Sequence, residues 1–255
     1  MCYDISFTVN VRAIEDYFPD LVFDDQLDMD FGPIDHIQGV AVFARHPIVY
    51  IDRTDWTPHC SRFEWGIIPF YEKAEPPVVM RNKYLNIRSE RIIDDPTSYW
   101  YKIKNRRCLI PVTGIFEHRT IQGWKKKVPY LIRPIDTPVF FLPGLYSVAE
   151  TVDASTGEMI KRKTFGMLTR SANSLMRNIH NDGDNRYRMP LFLPFDLAQE
   201  WLDDNLSSEK YRSLLQFEIP PTALEYYPVF SIRSSKPRPD GKWKTVPWQW
   251  DNLPS

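Results

Sequence analysis

The sequence predicts an α+β fold built mainly on β-sheet, and two observations support this. The 255 residues include 15 Phe, 13 Tyr and 8 Trp beside 22 Pro, which favours short strands and irregular connections over a helix bundle. Apolar runs of strand length recur along the chain, whereas helical periodicity is confined to a few short stretches. No internal repeat or interdomain linker is visible. We therefore expect one domain over residues 1–255, with a core over about residues 2–230 and a basic, aromatic tail over residues 231–255.

In the N-terminal half, short apolar runs predict strands separated by turns. Residues 3–7 form the first predicted strand, and a helical pattern follows until Pro19, which cannot continue a helix. Residues 20–30 are acidic and are predicted as a surface loop. The later elements are a hairpin of residues 40–43 and 48–52 around Arg45-His46-Pro47, strands over residues 62–69 and 108–115, and a polar turn over residues 84–91.

In the C-terminal half, the β pattern continues and then gives way to short helices. The predicted strands are residues 130–133, 139–147, 163–169, 189–193 and 225–229, with a turn at Asp153 and Gly157 between the second and third. The predicted helices are residues 171–179, with Ser171 or Asn173 as the N-cap, residues 196–204, and residues 207–215.

Composition limits the classes of function. The net charge of −1 means that any binding of nucleic acid must use a local basic patch. The three cysteines, Cys2, Cys60 and Cys108, are too few and too scattered for a disulfide framework or a four-thiolate zinc site. No apolar run is long enough to cross a bilayer, and the N-terminus lacks a signal-peptide pattern. We expect a cytoplasmic monomer that needs no cofactor or metal and does not bind membranes.

The first two residues, Met1 and Cys2, carry the most reactive chemistry in the chain. A methionine before a small residue is normally removed, so we expect the mature chain to begin at Cys2. The pKa of a free α-amine is about 7.7–8.0 and that of a free thiol about 8.5, so some of each group is nucleophilic at neutral pH. The pair can form a Schiff base with an aldehyde and then a thiazolidine ring. Alternatively, the thiol alone can attack an acyl carbon.

Other polar residues follow apolar strands at four places, residues 64–69, 86–90, 107–117 and 179–190. Each has an ordinary structural explanation when taken alone. Glu117 has the position of a surface carboxylate, His180 that of a helix cap, and Asn86 that of a turn residue. The combination and order of these stretches, together with Cys2, carry the specific information.

Taken together, these stretches resemble the SRAP family, the SOS response-associated peptidases that process abasic sites in single-stranded DNA. Asn86-Ile87-Arg88-Ser89-Glu90 is similar to the family's N-A-R-S-E motif. The other matches are Trp65-Gly66-Ile67-Ile68-Pro69 with W-G-L-I-P, Arg107-Cys108-Leu109-Ile110-Pro111 and Phe116-Glu117 with R-C-L-I-P…F-Y-E, and Leu168-Thr169, Ala172-Asn173, His180 and Arg188-Met189-Pro190 with L-T-T-x-A-N…H-D-R-M-P. The resemblance runs from Cys2 to about Val229. It implies curved sheets that form a pseudo-barrel with a few peripheral helices.

The resemblance assigns catalytic roles to Cys2, Asn86, Glu117 and His180. It implies that His180 opens the abasic sugar as a general acid–base, because the usual pKa of histidine lies near neutrality. The Cys2 amine then forms an imine that Glu117 assists and Asn86 orients, and the thiol closes the thiazolidine to give a DNA–protein crosslink. The family also implies autoproteolytic removal of Met1, an abasic-site lyase side reaction, and association with the nucleoid when DNA is damaged.

The resemblance also implies contacts with single-stranded DNA. Trp65 is a candidate stacking group, and Arg81, Lys83 and Arg88 are candidate phosphate contacts. The candidate DNA-binding residues also include Thr169, Arg186 and Arg188.

The chain departs from the family pattern at three places. It begins Met1-Cys2-Tyr3-Asp4 rather than M-C-G-R, and it has His118 instead of an aromatic residue after Glu117. Seven residues, 181–187, separate His180 from Arg188 where the family usually has one, which leaves Arg186 and Arg188 as alternatives for one role.

Three other functions remain open from the residues alone. A cysteine peptidase acting on other proteins would use Cys2, His180, and Glu117 or Asn86. A single-strand-binding module without catalysis would need only the basic and aromatic residues. A cysteine–histidine metal site is the third, although the sequence contains no close ligand spacing.

Overall fold

The computed structural model describes residues 2–24, 31–234 and 236–254, so Met1 and residues 25–30 of the predicted acidic loop lie outside the described residues. Two β-sheets pack around a common hydrophobic core. The strands are β1 (Asp4–Phe7), β2 (Val22–Phe23), β3 (Ile34–Gln38), β4 (Arg45–Ile51), β5 (Pro58–Trp65), β6 (Asn86–Arg88), β7 (Arg107–Val112), β8 (Gly114–Arg119), β9 (Val128–Pro134), β10 (Phe140–Val152), β11 (Met159–Ser171), β12 (Arg188–Pro190) and β13 (Leu224–Pro228).

The helices are short, and each lies in a segment that connects two strands. The α-helices are α1 (Val78–Arg81), α2 (Tyr99–Lys102), α3 (Ser174–Ile179), α4 (Phe195–Leu202) and α5 (Ser208–Gln216). Single 3₁₀ turns occur at Val11–Ile14, Asn82–Tyr84, Ser89–Arg91 and Pro221–Ala223. Within the described ranges, no helix has the length and apolar character that crossing a membrane requires.

The larger sheet closes on itself. Its strands follow the order β12-β11-β10-β7-β4-β5-β2, and β5 also pairs with β11 in parallel, at Glu64↔Thr164 and Trp65↔Phe165. Strands β11, β10, β7, β4 and β5 therefore form a closed five-stranded barrel, which leaves no open edges in that ring. The short strand β6 pairs with β11 just beyond the point where β5 leaves it. The predicted mainly-β fold with curved sheets is confirmed.

The smaller sheet places the N-terminus of the chain between two other strands. Its order is β13-β9-β8-β1-β3, and β1 pairs antiparallel with both β8 and β3. The barrel strand β7 passes directly into β8 of this sheet at Thr113. The Thr113 backbone N–H donates to Ser6 O at 2.8 Å, and its hydroxyl accepts from the Thr8 N–H at 3.1 Å. Thr113 thus joins the barrel to the sheet that holds the N-terminus.

Most strands predicted in the C-terminal half are confirmed, whereas three N-terminal predictions are wrong. The polar turn predicted over residues 84–91 contains strand β6, because Asn86–Arg88 pairs with β11. The hairpin partner of β4 is β5, not residues 40–43, because the turn-forming chemistry lies at Asp52, whose carboxylate accepts from the Thr54 N–H at 2.8 Å. Pro47 lies inside β4 instead of in the turn. The single strand predicted over residues 108–115 is divided at Thr113, where the chain changes sheets.

Trp65 lies in the core, where its ring is unavailable to a DNA base. Its side chain is fully buried, its Nε1 donates to Leu85 O at 2.9 Å, and its ring stacks on Phe165. Gly39 is required beside it, because a Cβ there would lie 2.7 Å from the indole ring. The stacking role expected from the sequence is thus replaced by a structural one, in which the indole links β5 to the segment before β6.

Replacing Trp65 with alanine should destabilise the protein by about 3–5 kcal/mol, since the change removes a fully buried aromatic side chain and leaves a cavity. Urea unfolding measures this change. The matched control is Trp243→Ala, because that side chain is 47% exposed and its loss should alter stability by less than about 0.5 kcal/mol. An unchanged unfolding midpoint for Trp65→Ala, together with weaker DNA binding, would indicate that Trp65 contacts DNA and is not a core residue.

Candidate active site

Cys2 is fixed inside the protein rather than in a frayed terminus. Its side chain is fully buried, and its thiol donates to Asp4 O at 3.3 Å. Its carbonyl accepts from the Asn86 side-chain amide at 2.9 Å. In the register of β1 with β8, Asp4 lies opposite Phe116. Continued toward the N-terminus, this pairing brings residue 2 beside Glu117 and His118.

Asn86 contributes one satisfied and one unsatisfied polar atom to this site. Strand β6 holds Asn86 opposite Met167 of β11, and the side chain is buried. Its Nδ2 binds Cys2, whereas its Oδ1 has no hydrogen-bond partner among the described residues. A buried polar atom without a partner costs about 1–3 kcal/mol, so the site is suited to a ligand or terminal group that donates a hydrogen bond.

Glu117 is a group of this site whose charge changes near neutrality. It lies near the end of β8 and is buried, and its Oε1 also lacks a hydrogen-bond partner among the residues that the structure describes. Burial raises the pKa of Glu117 to about 7. Near pH 7 the side chain is therefore divided between its acid and base forms, as a proton shuttle requires.

His180 is held as a neutral imidazole. It follows α3, whose N-cap Asn173 accepts from the Met176 N–H at 3.0 Å, as one of the two predicted caps. The His180 Nδ1 lies 2.9 Å from Arg188 O and 3.4 Å from Arg188 N, and the shorter contact favours the tautomer with the proton on Nδ1, because a carbonyl only accepts. Burial lowers the pKa of His180 to about 4. The near-neutral pKa expected of His180 thus belongs to Glu117.

The seven-residue segment after His180 closes on itself and leaves the following strand in place. The Tyr187 N–H donates to His180 O at 2.9 Å, so the two ends of the loop meet. Arg188 is then buried, with its guanidinium against Glu90 at 2.6 Å and Thr169 O at 2.7 Å. Arg186 is exposed. Of the two alternatives, Arg188 is buried and holds neighbouring elements together, whereas Arg186 is accessible to solvent.

Several candidate DNA-binding residues instead hold the motif strands together. Arg81 is 1% exposed and forms ion pairs with Glu64 and Glu75, both at 2.6 Å. Thr169 is buried, and its hydroxyl donates to Ile87 O at 3.3 Å. By contrast, Arg88 is exposed, and its Nη2 donates a long hydrogen bond to Asn185 Oδ1 at 3.3 Å.

Two cavities flank the buried terminus. The first, of about 430 Å³, contains Glu117 and His180, and the second, of about 390 Å³, contains Asn86. Tyr3 and Asn185 line both, so they form the wall between the cavities. The second cavity also combines cations and aromatic rings, which suits a single-stranded nucleic acid: Lys83, Arg88 and Arg91 with Tyr84 and Trp100.

Three residues of the second cavity were not predicted from the sequence, Tyr84, Arg91 and Trp100. The available signal was the closeness of Tyr84 and Arg91 to the Asn86–Arg88 strand, but nothing local connects Trp100 to it. Among the described residues, no group of three or more metal-ligating side chains is arranged to hold an ion.

Comparison with known proteins identifies the family. A family model described as SOS response associated peptidase (SRAP) matches residues 1–232. The chain belongs to the SRAP family. This confirms the resemblance inferred from the motifs.

Individual SRAP relatives agree with the assignment. Abasic site processing protein YoaM of Bacillus subtilis is 28% identical over 220 residues, which cover 86% of this chain and 89% of the relative. Abasic site processing protein YoqW of Bacillus subtilis is 27% identical over 175 residues, covering 69% and 71%. A crystal structure of a Bacteroides thetaiotaomicron protein superposes with a TM-score of 0.73 at 27% identity, over 89% of this chain and 92% of that chain.

Glu117 should make the folded state less stable as the pH rises. Its pKa in the folded state is about 7 against a usual 4.5, so between these values the folded protein holds a proton that the unfolded chain has lost. The stabilisation that protonated Glu117 contributes below pH 4.5 is therefore lost as the pH rises through about 7. This loss lowers the free energy of unfolding by roughly 3 kcal/mol. Glu117→Gln should remove this part of the pH dependence.

Urea unfolding of the wild type and Glu117→Gln at a series of pH values from 5 to 8 measures the difference. The matched control is Glu225→Gln, which changes a half-exposed carboxylate that pairs with Arg133 at 2.6 Å. Parallel stability curves for the wild type and Glu117→Gln would mean that Glu117 titrates normally.

Proposed function

We propose that the protein processes abasic sites in single-stranded DNA and that Cys2 forms a covalent thiazolidine crosslink with the lesion. The names of the relatives YoaM and YoqW support abasic-site processing. The observation that carries the covalent step is the buried Cys2, held by Asn86 and flanked by the cavity of Glu117 and His180.

The first step of the proposal is the removal of Met1, since the nitrogen of Cys2 becomes an amine only when the peptide bond before it is hydrolysed. The hydrolysis adds one water: the hydroxyl goes to the Met1 carbonyl carbon and a proton to the Cys2 nitrogen. Glu117 is suited to accept the proton of the attacking water, because its raised pKa leaves it a usable base at neutral pH. This is the autoproteolytic reaction from which the family takes its name.

The second step is the opening of the sugar and the formation of the imine. The abasic site has no base on C1′, so that carbon can approach the wall between the two cavities. The neutral His180 accepts the proton of the C1′ hydroxyl as the C1′–O4′ bond breaks and passes that proton to O4′, so the aldehyde and the C4′ hydroxyl form. The Cys2 amine adds to C1′, and protonated Glu117 donates a proton to the departing water.

The third step is ring closure. The Cys2 sulfur adds to C1′ of the imine, and the thiol proton passes to the nitrogen, so the whole reaction releases one water. Until it closes, the imine also permits β-elimination of the 3′ phosphate, which is a lyase reaction. Closure consumes the imine and therefore protects the strand, and it is fast because sulfur and carbon already belong to one molecule.

A peptidase acting on other proteins would need Cys2 as a thiolate. Burial, together with the nearby Glu117 carboxylate, raises the pKa of the Cys2 thiol well above its usual value. The thiol therefore remains protonated at neutral pH, which favours a mechanism that starts with the amine over one that starts with sulfur. We accordingly prefer the crosslinking reaction.

Cys2→Ala should abolish the stable crosslink with a single-stranded oligonucleotide that contains one abasic site. Cys2→Ala and Cys2→Ser both keep the α-amine but lack the thiol, so each should give an imine that borohydride traps, increased strand cleavage, and no stable crosslink. Intact mass spectrometry and denaturing gels distinguish these products. Cys60→Ala, which removes another buried thiol, is the control and should crosslink like the wild type. A stable crosslink with Cys2→Ala would refute the assignment.

Glu117→Gln should slow crosslinking by about 10²-fold, the lower end of the range for general acid–base catalysis. In the wild type, the rate should fall as the pH rises through about 7, because only the protonated Glu117 assists the loss of water. The variant should lack this break. Single-turnover rates from pH 5.5 to 8.5 measure it, with Glu225→Gln as the control. A break of the same size in Glu117→Gln would assign the proton transfer to another group.

A further inference from the structure

Arg233 lies at the cavity of Glu117 and His180 although it is far from both in the sequence. It follows directly after residue 232, where the family match ends. Its side chain is 40% exposed and lines this cavity. Its Nε donates to Asp4 Oδ1 at 3.1 Å and its Nη2 to Asp4 Oδ2. Its Nη1 makes no hydrogen bond with any described residue, so one edge of the guanidinium can serve a ligand.

The carboxylate that holds Arg233 is itself fixed. Asp4 is buried in β1 and also accepts a hydrogen bond from His36 Nε2 at 2.8 Å. Burial alone would raise the pKa of Asp4, but the hydrogen bonds from His36 and Arg233 lower it below its usual value. Asp4 therefore stays charged, and the guanidinium is held by a bidentate contact that a lysine could not make.

The tail is anchored at a second point on the same side. The Lys244 ammonium donates to Ile232 O at 2.8 Å and lies 3.4 Å from His36 Nδ1. Its backbone N–H donates to Asp35 at 2.8 Å. These contacts keep the segment that carries Arg233 against β3, and so keep Arg233 at the cavity.

The charges around the cavity show why this arginine matters for an anionic substrate. Four carboxylates line it, Asp4, Glu117, Asp182 and Asp184, against the cations Lys127 and Arg233. Lys127 is engaged with Asp182 at 3.0 Å. Arg233 is engaged with Asp4, but it is the one arginine among the described residues that line this cavity, and its Nη1 is left for a phosphate.

We propose that Arg233 forms a phosphodiester-binding subsite at this cavity and holds a backbone phosphate beside the abasic sugar. The subsite rests on the proposed function and specifies how the C-terminal tail takes part in it. A planar guanidinium with a free edge suits a phosphate oxygen, and Asp4 positions it. The rival explanation is that Arg233 only neutralises the buried Asp4.

The decisive variants are Asp4→Asn and the double variant Asp4→Asn with Arg233→Ala. In the double variant no buried carboxylate is left unpaired, so any remaining loss of binding belongs to Arg233. Both are made in a Cys2→Ala background, and binding of the abasic oligonucleotide is measured by fluorescence anisotropy over a range of salt concentrations. Urea unfolding confirms that each variant is folded.

We expect the double variant to bind at least about 5-fold more weakly than Asp4→Asn, with a salt dependence shallower by about 0.7 in log K against log salt, the value for one phosphate on a single strand. Arg133→Ala is the matched control, because Arg133 of β9 is 37% exposed, close to the 40% of Arg233, and also pairs with a carboxylate, that of Glu225. It should leave affinity and slope unchanged. Identical slopes for Asp4→Asn and the double variant would overturn the subsite.

A chemical change in the DNA provides the independent test. Two oligonucleotides carry a neutral methylphosphonate on the 5′ or the 3′ side of the abasic site. For one of these oligonucleotides, the methylphosphonate should weaken binding to the protein that contains Arg233, relative to unmodified DNA, and leave binding to the Arg233→Ala protein unchanged. Equal effects on both proteins for both oligonucleotides would also overturn the proposal. If the protein with native Cys2 forms no crosslink with any abasic oligonucleotide, the proposed function fails, whereas crosslinking without this selective loss rejects the subsite alone.

Discussion

The antiparallel pairing of β1 with β8 is the constraint on which the site depends. Chain termini are usually poorly ordered, but here the strand that follows Cys2 lies between β8 and β3, and Thr113 ties it to the barrel. Asn86 then binds the Cys2 carbonyl from β6, a strand of the other sheet. The position of Cys2 is thus determined by both sheets at once, which gives a terminal residue the precision of a core side chain.

Burial shifts the pKa values of the acidic and basic groups around this terminus in opposite directions. It raises the pKa of Glu117 to about 7 and lowers that of His180 to about 4, and it raises the pKa of the Cys2 thiol. Each of these three shifts favours the neutral form, because burial withdraws the side chain from the bulk water that would stabilise its charge. Of these groups, Glu117 is the one whose pKa lets it donate or accept a proton near neutrality.

The charged residues of the motifs divide into a structural and an accessible set. Arg81 and Arg162 both bind Glu64 of β5, and Arg188 binds Glu90, so these arginines join β5, β11 and the β6 region where the barrel closes. Removing Glu64 would leave the largely buried guanidinium groups of Arg81 and Arg162 without this partner. The accessible cations are different residues, Lys83, Arg88 and Arg91, which line the second cavity together with aromatic rings. Proximity to a motif therefore does not by itself indicate contact with DNA.

The family, the mainly-β fold and the strands of the C-terminal half could be predicted from residue types and spacing, because these are local properties. The grouping of Cys2, Asn86, Glu117 and His180 was predictable only through the motifs that carry them. The tertiary structure alone decided that Trp65 is core and that the near-neutral pKa belongs to Glu117, since burial depends on every element that packs around a side chain. It also brought Arg233 to Asp4 across 229 positions of sequence. No local pattern encodes such a contact, which exists only because the sheet and the tail meet in space.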